Sequence, residues 1–258
     1  MGSLHSRPSA QRSSSRAEST CEKAGTSNAI RKVEKIRQRN RTSLFYAAMP
    51  QSQKKVLKSS ASVLPHRTSA ALERPFYRRP AEKLARELIG KILVHRIGGR
   101  TLRARIVETE AYVGEHDLAC HASKGRTTRT EIMFGDAGFA YVYFIYGMYD
   151  MLNIVAGEHD DPQAVLIRAA EALDGWQTNL SGPGKLCREM KISRAKHNGV
   201  DLTGDKLFLI DDLSASPKIA RSRRINVDYA KDWLHAELRF YDARSAAVTK
   251  HPKSLTGT

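Results

Sequence analysis

The sequence predicts an α+β fold, in which a single domain has a mixed, mostly antiparallel curved sheet and a few flanking helices. Short apolar segments separated by turn residues recur through residues 74–250, which is typical of strands. Two further segments have the apolar spacing of helices. The 258 residues contain no internal repeat and suffice to bury a sizeable core. Strands interrupted by isolated helices favour the α+β class over regular βα alternation.

The first helix is predicted in RPAEKLARELIG, residues 79–90. Pro80 suits a first helical turn, Leu84 and Leu88 lie on one helical face, and Gly90 ends the segment. Because strand-like residues begin directly after this glycine, we expect the helix to lead into a strand.

A hairpin is predicted next, with strands in KILVHRI and TLRARIVETEAY and a tight turn at Gly-Gly 98–99. If the second strand stays extended, Ile106, Glu108, Glu110 and Tyr112 share one face. Carboxylates and an aromatic ring would then face one cavity. A solvated edge is the usual position of such a glutamate pair. It is disfavoured here because strands seldom contain Glu and Ile106 points toward a core.

The remaining strands are predicted in FAYVYFIYG, YDMLNIV, QAVLIRAAE, KLFLID, RSRRINVD and ELRFYD. A second helix, GPGKLCREMKI, begins after Ser181. Its start is not a P-loop, because Asn179 replaces a required glycine and Leu186 follows Lys185 where Ser or Thr is needed. The glycine-rich helix start, with Lys185, remains suited to a DNA phosphate.

Residues 1–73 form a basic N-terminal extension that we expect to be disordered, and residues 251–258 are expected to be a flexible tail. Residues 1–75 hold 15 basic and 4 acidic side chains, so they carry +11 of the formal net charge of +16. The extension lacks the apolar periodicity needed to bury a face. A nuclear or DNA-tethering tail, an organellar transit peptide and a start codon upstream of Met49 are alternatives that stay open.

The charge favours a polyanionic partner, because neutralising phosphates releases condensed counterions. A solvated basic surface stays open on charge alone. Three cysteines without a CxxC pair argue against a disulfide framework and indicate a reducing compartment. No apolar run approaches the length of a membrane span. We expect an intracellular protein located with DNA, in a bacterial cytoplasm and nucleoid or in a eukaryotic nucleus, while organellar targeting stays open.

The loop GEHDLACHASKGRTTRTEIMFG contains two histidines and a cysteine that complete no usual zinc pattern, so we predict no metal site. His121 is better explained as a ring opposite Tyr112. Lys124, Arg126 and Arg129 alternate with small residues, a composition that suits phosphate contacts. A solvated basic loop is the competing interpretation.

Four tyrosines lie within nine positions around Gly147 in AYVYFIYGMY. Tyr141 and Tyr143 are predicted on one strand face, and Tyr146 at a hairpin tip, where a ring protrudes. Buried phenols need hydrogen-bond partners. Strand aromatics near basic residues form a stacking platform for nucleobases, and a protruding ring can enter a base stack. A core plug is the competing interpretation.

Five segments together closely resemble the alkyladenine (3-methyladenine) DNA glycosylase family: GRTLRARIVETEAYVGEHDLACHA, RTEIMFG, AYVYFIYGMYDMLNIV, AVLIRAAEALDG and SGPGKLC. They occur in the order typical of the family, and the resemblance covers residues 74–244. The loops at 124–133 and 173–187 are compact, so the chain is more similar to the bacterial form than to the vertebrate form. DNA contacts carried by longer insertions therefore do not transfer.

The resemblance implies a monofunctional DNA-3-methyladenine glycosylase of base excision repair. Such an enzyme extrudes an alkylated or deaminated purine from duplex DNA and hydrolyses its N-glycosidic bond with water. Glu110 resembles the general base, and Arg168 resembles the arginine that positions the water. The implied substrates are 3-methyladenine, 7-methylguanine and hypoxanthine. A monomer without a cofactor would leave an intact abasic site for a downstream endonuclease.

The resemblance also implies a base pocket. Tyr112, His121 and Tyr143 resemble its aromatic walls, Asn153 resembles the floor residue that hinders the exocyclic amine of guanine, and Tyr146 resembles the ring that fills the gap in the duplex. A non-catalytic nucleic-acid-binding module is the competing function, since binding alone needs the rings but no general base. A zinc deaminase is disfavoured, because the sequence contains no PCxxC segment to complete its zinc-binding signature.

Overall fold

The computed structural model describes residues 70–250, which form an α+β domain on one eight-stranded sheet. In chain order the elements are α1 (Arg74–Tyr77), α2 (Ala81–Leu88), β1 (Ile92–Ile97), β2 (Arg100–Tyr112), β3 (Ala140–Ile145), β4 (Tyr149–Ala156), β5 (Gln163–Ala172), α3 (Pro183–Glu189), α4 (Arg194–His197), β6 (Leu207–Ile210), β7 (Ile219–Ser222) and β8 (Arg239–Asp242). The connections contain 3-10 helices at His121–Lys124, Glu131–Phe134 and Asp228–His235. The predicted α+β class is confirmed.

Strand β2 is the centre of the sheet. The strands follow the order β3-β4-β5-β2-β1-β6, while β8 pairs with β2 and β7 pairs with β8. One edge of β2 pairs with β5, and the other edge pairs first with β1 and then with β8. Every pairing between the described strands is antiparallel. The second half of β2 is therefore enclosed on both edges.

Helix α2 covers one side of β2 and β5. Its buried residues Ala81, Leu84, Ala85 and Leu88 repeat at the i, i+3, i+4 and i+7 spacing of a single apolar face. Gly90 follows with φ of 91°, a conformation that glycine adopts without steric cost. The predicted helix and the strand after it are confirmed.

The pairing of β2 with β5 is irregular at Glu108, between Ile106 and Thr109. Ile106 belongs to the main core, and the Thr109 hydroxyl donates to the carbonyl of Ala85 on α2 at 2.9 Å. Both residues thus face the same side although three positions separate them, so the alternation is broken. Glu108 and Glu110 face the opposite side. The expectation that they share a face with Ile106 is wrong.

The alternation of side chains along strand β5 is also broken, at the level of Glu108. Ile167 and Ala170 both belong to the main core, whereas Arg168 between them lines a cavity on the other side. The paired irregularity therefore turns Glu108 and Arg168 toward each other without disturbing the apolar side of the sheet.

The segment predicted as a strand at 221–228 is paired only as far as Ser222. Arg224 turns inward and donates from both terminal nitrogens to buried Asp117, at 2.5 and 2.8 Å. Asn226 then has φ of 59°, which no strand accommodates. A buried ion pair thus ends this strand early. The helices α1 and α4 and the first two 3-10 helices have four residues each, which is too short for periodicity to show. The segment Asp228–His235 is interrupted by non-helical backbone at Ala230 and Lys231.

Ordered structure begins before the predicted boundary at residue 74, because Ala71 pairs with Ile210 at the edge of the sheet. A disordered arm is predicted for residues 1–73 and a flexible tail for residues 251–258. Residues 1–69 and 251–258 lie outside the part of the chain that the structure describes. Within residues 70–250, no helix combines the length and apolar character needed to cross a bilayer.

Candidate active site

A cavity of about 380 Å³ opens on the side of the sheet that carries Arg168. Its size is within the range of about 300–1,000 Å³ common for small-ligand pockets. Strands β2 to β5, the start of α3 and the segment before the last 3-10 helix supply its walls. The lining is dominated by tyrosines: Tyr112, Tyr141, Tyr143, Tyr146, Tyr149 and Tyr229.

His121, Tyr141 and Tyr143 form an aromatic cluster in one wall. The ring centroids of His121 and Tyr143 are 4.6 Å apart with an interplanar angle of 78°, and those of His121 and Tyr141 are 6.0 Å apart at 89°. The guanidinium of Arg129 lies 5.3 Å from the centre of the Tyr143 ring. The structure therefore brings His121 and Tyr143 into edge-to-face contact. Tyr141 is a member of the cluster to which sequence analysis gave no role.

His121 is a neutral ring at physiological pH. Burial, assisted by the nearby cations of Arg129 and Lys124, lowers the pKa of His121 from 6.5 to about 4. The guanidinium of Arg129 donates to Nε2 at 3.3 Å, so Nδ1 carries the proton and donates to the Tyr141 hydroxyl oxygen at 2.9 Å. This assignment fixes the plane of the imidazole and keeps it uncharged.

Tyr112, at the end of β2, connects the cavity to Glu110. Its hydroxyl donates to Oε2 of Glu110 at 3.0 Å. Burial, and then the charge of Glu110, raise the pKa of Tyr112 well above its usual value. The guanidinium of Arg224 lies 4.9 Å from the centre of the ring and fixes its position. Tyr112 therefore presents a neutral, immobilised ring to the cavity.

Glu110 lies directly behind the cavity lining and is 0% exposed. Its Oε2 accepts hydrogen bonds from Tyr112 at 3.0 Å and from Nη1 of Arg168 at 3.2 Å, and its Oε1 accepts the backbone N–H of Ile225 at 2.7 Å. All three partners line the cavity. A carboxylate has about four lone-pair sites, so Oε1 retains one acceptor position.

Arg168 bridges two buried carboxylates. Its Nε donates to Oε1 of Glu108 at 3.0 Å, and its Nη1 donates to Oε2 of Glu110. Burial tends to lower the pKa of Arg168, but the charges of Glu110 and Glu108 outweigh it and raise the pKa. The guanidinium is therefore permanently charged, and it reaches the cavity wall.

Asn153 on β4 also lines the cavity, as predicted. Its amide nitrogen donates to the backbone carbonyls of Tyr141 and Met151, at 3.3 and 3.4 Å. Because these bonds occupy both amide hydrogens, Asn153 has only its carbonyl oxygen left as a polar group for a ligand.

Tyr146 lies at the turn between β3 and β4, and 73% of its surface is exposed. The backbone N–H of Met148 donates to the carbonyl of Ile145 at 3.2 Å, and both Tyr146 and Gly147 have positive φ, of 55° and 67°. Ile145 pairs with Tyr149 across the hairpin, so the connection consists of the three residues 146–148. The protruding ring inferred from sequence is therefore present at the mouth of the cavity.

Further apolar side chains are exposed near the same mouth. Phe144, Met148 and Tyr149 flank Tyr146 on the β3–β4 hairpin. Tyr229, which is 69% exposed, comes from the separate 3-10 helix Asp228–His235 and also lines the cavity. Sequence analysis missed Tyr229, because no pattern around it indicates proximity to Tyr146.

The four predicted phosphate contacts have different environments. Lys185 lines the cavity and is exposed, and Lys124 is exposed on the loop after β2. Arg129 contacts the aromatic cluster. Arg126 forms ion pairs with Glu131 and Asp160 and lies over the ring of Phe134. The structure therefore places Lys185 in the cavity lining and Arg129 against the His121 and Tyr143 rings, whereas Arg126 is engaged elsewhere.

No group of three or more potential metal ligands is present among residues 70–250. Cys120 lines the cavity, but burial raises the pKa of its thiol to about 11, so it remains protonated.

The fold and the site together define a class of protein. An aromatic-walled cavity next to a buried carboxylate and arginine, with exposed rings at its mouth, is the arrangement of an enzyme that cleaves extruded bases from DNA, a DNA glycosylase. The chain belongs to the methylpurine-DNA glycosylase family, whose model matches residues 75–246.

Relatives from bacteria and archaea cover the same part of the chain. A protein of an Anaeromyxobacter species is 49% identical over 181 residues, which are 70% of this chain and 93% of the relative. A Methanocella arvoryzae protein is 46% identical over 192 residues, covering 69% and 96% respectively. A Legionella pneumophila protein is 46% identical over 180 residues, covering 69% and 98%. All three carry the provisional name 3-methyladenine DNA glycosylase.

Proposed function

We propose that this chain is a monofunctional glycosylase that removes alkylated or deaminated purines, such as 3-methyladenine, 7-methylguanine and hypoxanthine, from duplex DNA. The observation that carries the proposal is the position of Glu110, whose carboxylate is hydrogen-bonded to three residues lining one aromatic cavity. The names of the relatives mention the first of these bases, 3-methyladenine. The proposal includes action as a monomer, with an abasic-site endonuclease processing the product.

The cavity suits a flat cationic base. Tyr112 and His121 are both uncharged at neutral pH, so their π faces are available, and each stacked ring contributes about 1–3 kcal/mol. An N-alkylated purine carries a positive charge that such faces attract, by about a further 0.5–2 kcal/mol in a dry site. Asn153 contributes a single acceptor at the cavity wall. An unmodified guanine is neutral, so it lacks the attraction between a cationic base and the aromatic faces. It also has to fit its exocyclic amine against Asn153.

The free acceptor position of Glu110 supplies the chemistry. A water bound to Oε1 would lose a proton to Glu110 as it attacks C1′ of the deoxyribose, while the negative charge stabilises the oxocarbenium-like sugar. Arg168 has two of its three nitrogens bound to carboxylates, and the third is left to orient the water. A cationic N-alkylated purine leaves as the neutral base, so one carboxylate suffices for it without a separate general acid. Neutral hypoxanthine has to take up a proton from solvent as it leaves.

Entry of the base requires local disruption of the duplex, at a cost of a few kcal/mol. Tyr146 is the group we assign to the vacated position in the base stack, because it is the most exposed aromatic side chain at the mouth. Lys185 and Arg129 are assigned to the backbone phosphates beside it. The Tyr146→Ala variant is expected to retain its stability and to lose activity on duplex DNA.

The test uses the full chain in the presence of EDTA and a duplex with one hypoxanthine or 7-methylguanine. Release of the free base, followed by strand breakage only after alkali, supports the proposal. Breakage without alkali, or a borohydride-trapped adduct that disappears in Lys185→Ala, would refute monofunctional hydrolysis. Specific binding without any base release would instead support the non-catalytic binding module. Asp212→Asn is the matched control, because Asp212 pairs with Arg105 away from the cavity.

A further inference from the structure

Glu108 is a fully buried carboxylate whose charge the proposed chemistry does not use. It lies at the irregularity between β2 and β5 and is 0% exposed. A buried charge destabilises a fold strongly unless it is paired and hydrogen-bonded. The buried Glu108 charge next to Glu110 therefore requires cationic and hydrogen-bonding partners that offset its desolvation.

The carboxylate of Glu108 is saturated with donors. Oε1 accepts from Nε of Arg168 at 3.0 Å and from Nε of Arg239 at 2.7 Å. The hydroxyl of Thr249 lies within 2.6 and 2.8 Å of the two oxygens, and its backbone N–H donates to Oε2 at 2.7 Å. About four lone-pair sites are available on a carboxylate, so Glu108 has none left for a water or a substrate. This distinguishes Glu108 from Glu110.

The Glu108 partners are themselves immobilised. Arg239 on β8 donates to the hydroxyl of Ser222 at 3.0 Å and to the carbonyl of Thr249 at 2.8 Å. Thr249 also lies close to Gly182 of the cavity lining, because a Cβ atom at Gly182 would be 3.9 Å from the Thr249 methyl group. Three elements, β2, β8 and the segment after β8, thus hold the Glu108 carboxylate in one position.

Arg168 takes its orientation from this fixed group. Its Nε is bound to Glu108 and its Nη1 to Glu110, so two anchors define the plane of the guanidinium. If Glu108 were neutral, Glu110 would be the only carboxylate among residues 70–250 that is paired with Arg168. The guanidinium would then move toward Glu110 and cover its remaining acceptor position. Glu108 therefore protects the geometry that the proposed chemistry needs.

We propose that Glu108 is a positioning residue, which holds the Arg168 guanidinium beside Glu110 so that the remaining acceptor position on Oε1 of Glu110 stays open for water. The hydroxyl of Thr249 completes this arrangement and lies beyond residues 75–246, which match the family model. This inference rests on the proposed glycosylase function.

The experiment is a double-mutant cycle on the full chain, read as the single-turnover rate of hypoxanthine release. Glu108→Gln is expected to reduce the rate about 10- to 100-fold in the wild-type background and less than about threefold in the Arg168→Ala background, because coupled residues are not additive. The affinity for a lesion-containing duplex is expected to change less than about twofold, since Glu108 does not line the cavity. Equal reductions in both backgrounds would overturn the inference.

Stability is controlled separately. Rates are measured below the unfolding transition of every variant, and Asp212→Asn reports the effect of losing a partly buried ion pair far from the cavity. If Glu108→Gln does not fold, Thr249→Val removes only the hydroxyl and is expected to reduce the rate about 3- to 10-fold, again only when Arg168 is present. A rate equal to that of the wild type would overturn the proposal. An inactive wild-type chain would instead refute the glycosylase function itself.

Discussion

Replacing Glu110 by Gln is expected to abolish base release while binding of damaged DNA persists. The carboxylate accepts from Tyr112, Arg168 and the backbone of Ile225. An amide has one acceptor and one donor side, so one of these partners must face an N–H group. The least costly orientation keeps the oxygen on Arg168 and leaves the Ile225 N–H unpaired.

The magnitudes follow from this environment. One buried unpaired donor costs about 1–3 kcal/mol. Arg168 keeps Glu108 as a partner, so the full cost of isolating a buried charge, about 3–5 kcal/mol, does not apply. We expect a total loss of about 2–4 kcal/mol of unfolding free energy, which lowers the Tm of a domain of this size by about 5–15 °C. The loss of general-base catalysis lowers the rate by about 10²–10⁴-fold.

The assay combines single-turnover release of hypoxanthine with the affinity for the same duplex, at a temperature where the variant is folded. Tyr112→Phe is the matched control, because it removes one hydrogen bond to Glu110 but keeps the carboxylate and the ring. It is expected to lose less than about tenfold in rate. A folded Glu110→Gln variant with more than a tenth of the wild-type rate would refute the role of Glu110 as the base.

Three further predictions concern phosphate contacts, pH and packing. Lys185→Ala is expected to reduce the salt dependence of DNA binding by about one phosphate contact, whereas Arg126→Ala leaves it unchanged, because that guanidinium is already ion-paired. Because the folded pKa of His121 is about 4, below its ordinary value of 6.5, only the unfolded chain binds this proton in that window. The free energy of unfolding therefore decreases by at most about 3 kcal/mol as the pH falls from 6.5 to 4, and less in His121→Phe. Gly138→Ala is expected to cost about 2–4 kcal/mol in urea unfolding, because the new Cβ would lie 2.8 Å from a fully buried tyrosine ring at φ of 85°. Gly98→Ala, with no atom within 4 Å, is its control and is expected to cost about 1–2 kcal/mol.

A specific result would contradict each of these three predictions. Equal salt slopes for the Lys185 and Arg126 variants would remove Lys185 from the DNA interface. An unchanged pH dependence in His121→Phe would mean that the imidazole is not the group responsible. Similar stability of the Gly138 and Gly98 variants would show that the tyrosine ring can move away.

Sequence patterns predicted the placement of single side chains where local order suffices. Tyr146 beside Gly147 defines a turn without tertiary information, and alternation correctly grouped Tyr141 with Tyr143. The family resemblance identified Glu110 and Arg168 as a pair, and the structure places their side chains 3.2 Å apart.

Other features depended on contacts that are distant in the sequence. The role of Glu108 requires Arg239 and Thr249, which lie 131 and 141 positions away. The irregularity at Glu108 has no glycine or proline to reveal it, so simple alternation grouped Glu108 and Glu110 with the core residue Ile106 on one face. Arg126 looks like any loop arginine until Asp160, 34 positions away, is found next to it. Tertiary pairing of charges, which a single sequence does not encode locally, accounts for these differences.

The backbone of Tyr146 is an outlier for so bulky a residue, since its φ of 55° favours Gly or Asn. Asparagine at this position is expected to stabilise the isolated protein by about 0.5–1 kcal/mol while removing the ring. The backbone strain at Tyr146 therefore lowers the stability of the free protein while the turn keeps the ring exposed. Selection for heat resistance alone would favour replacing the ring that we assign to the vacated position in the base stack.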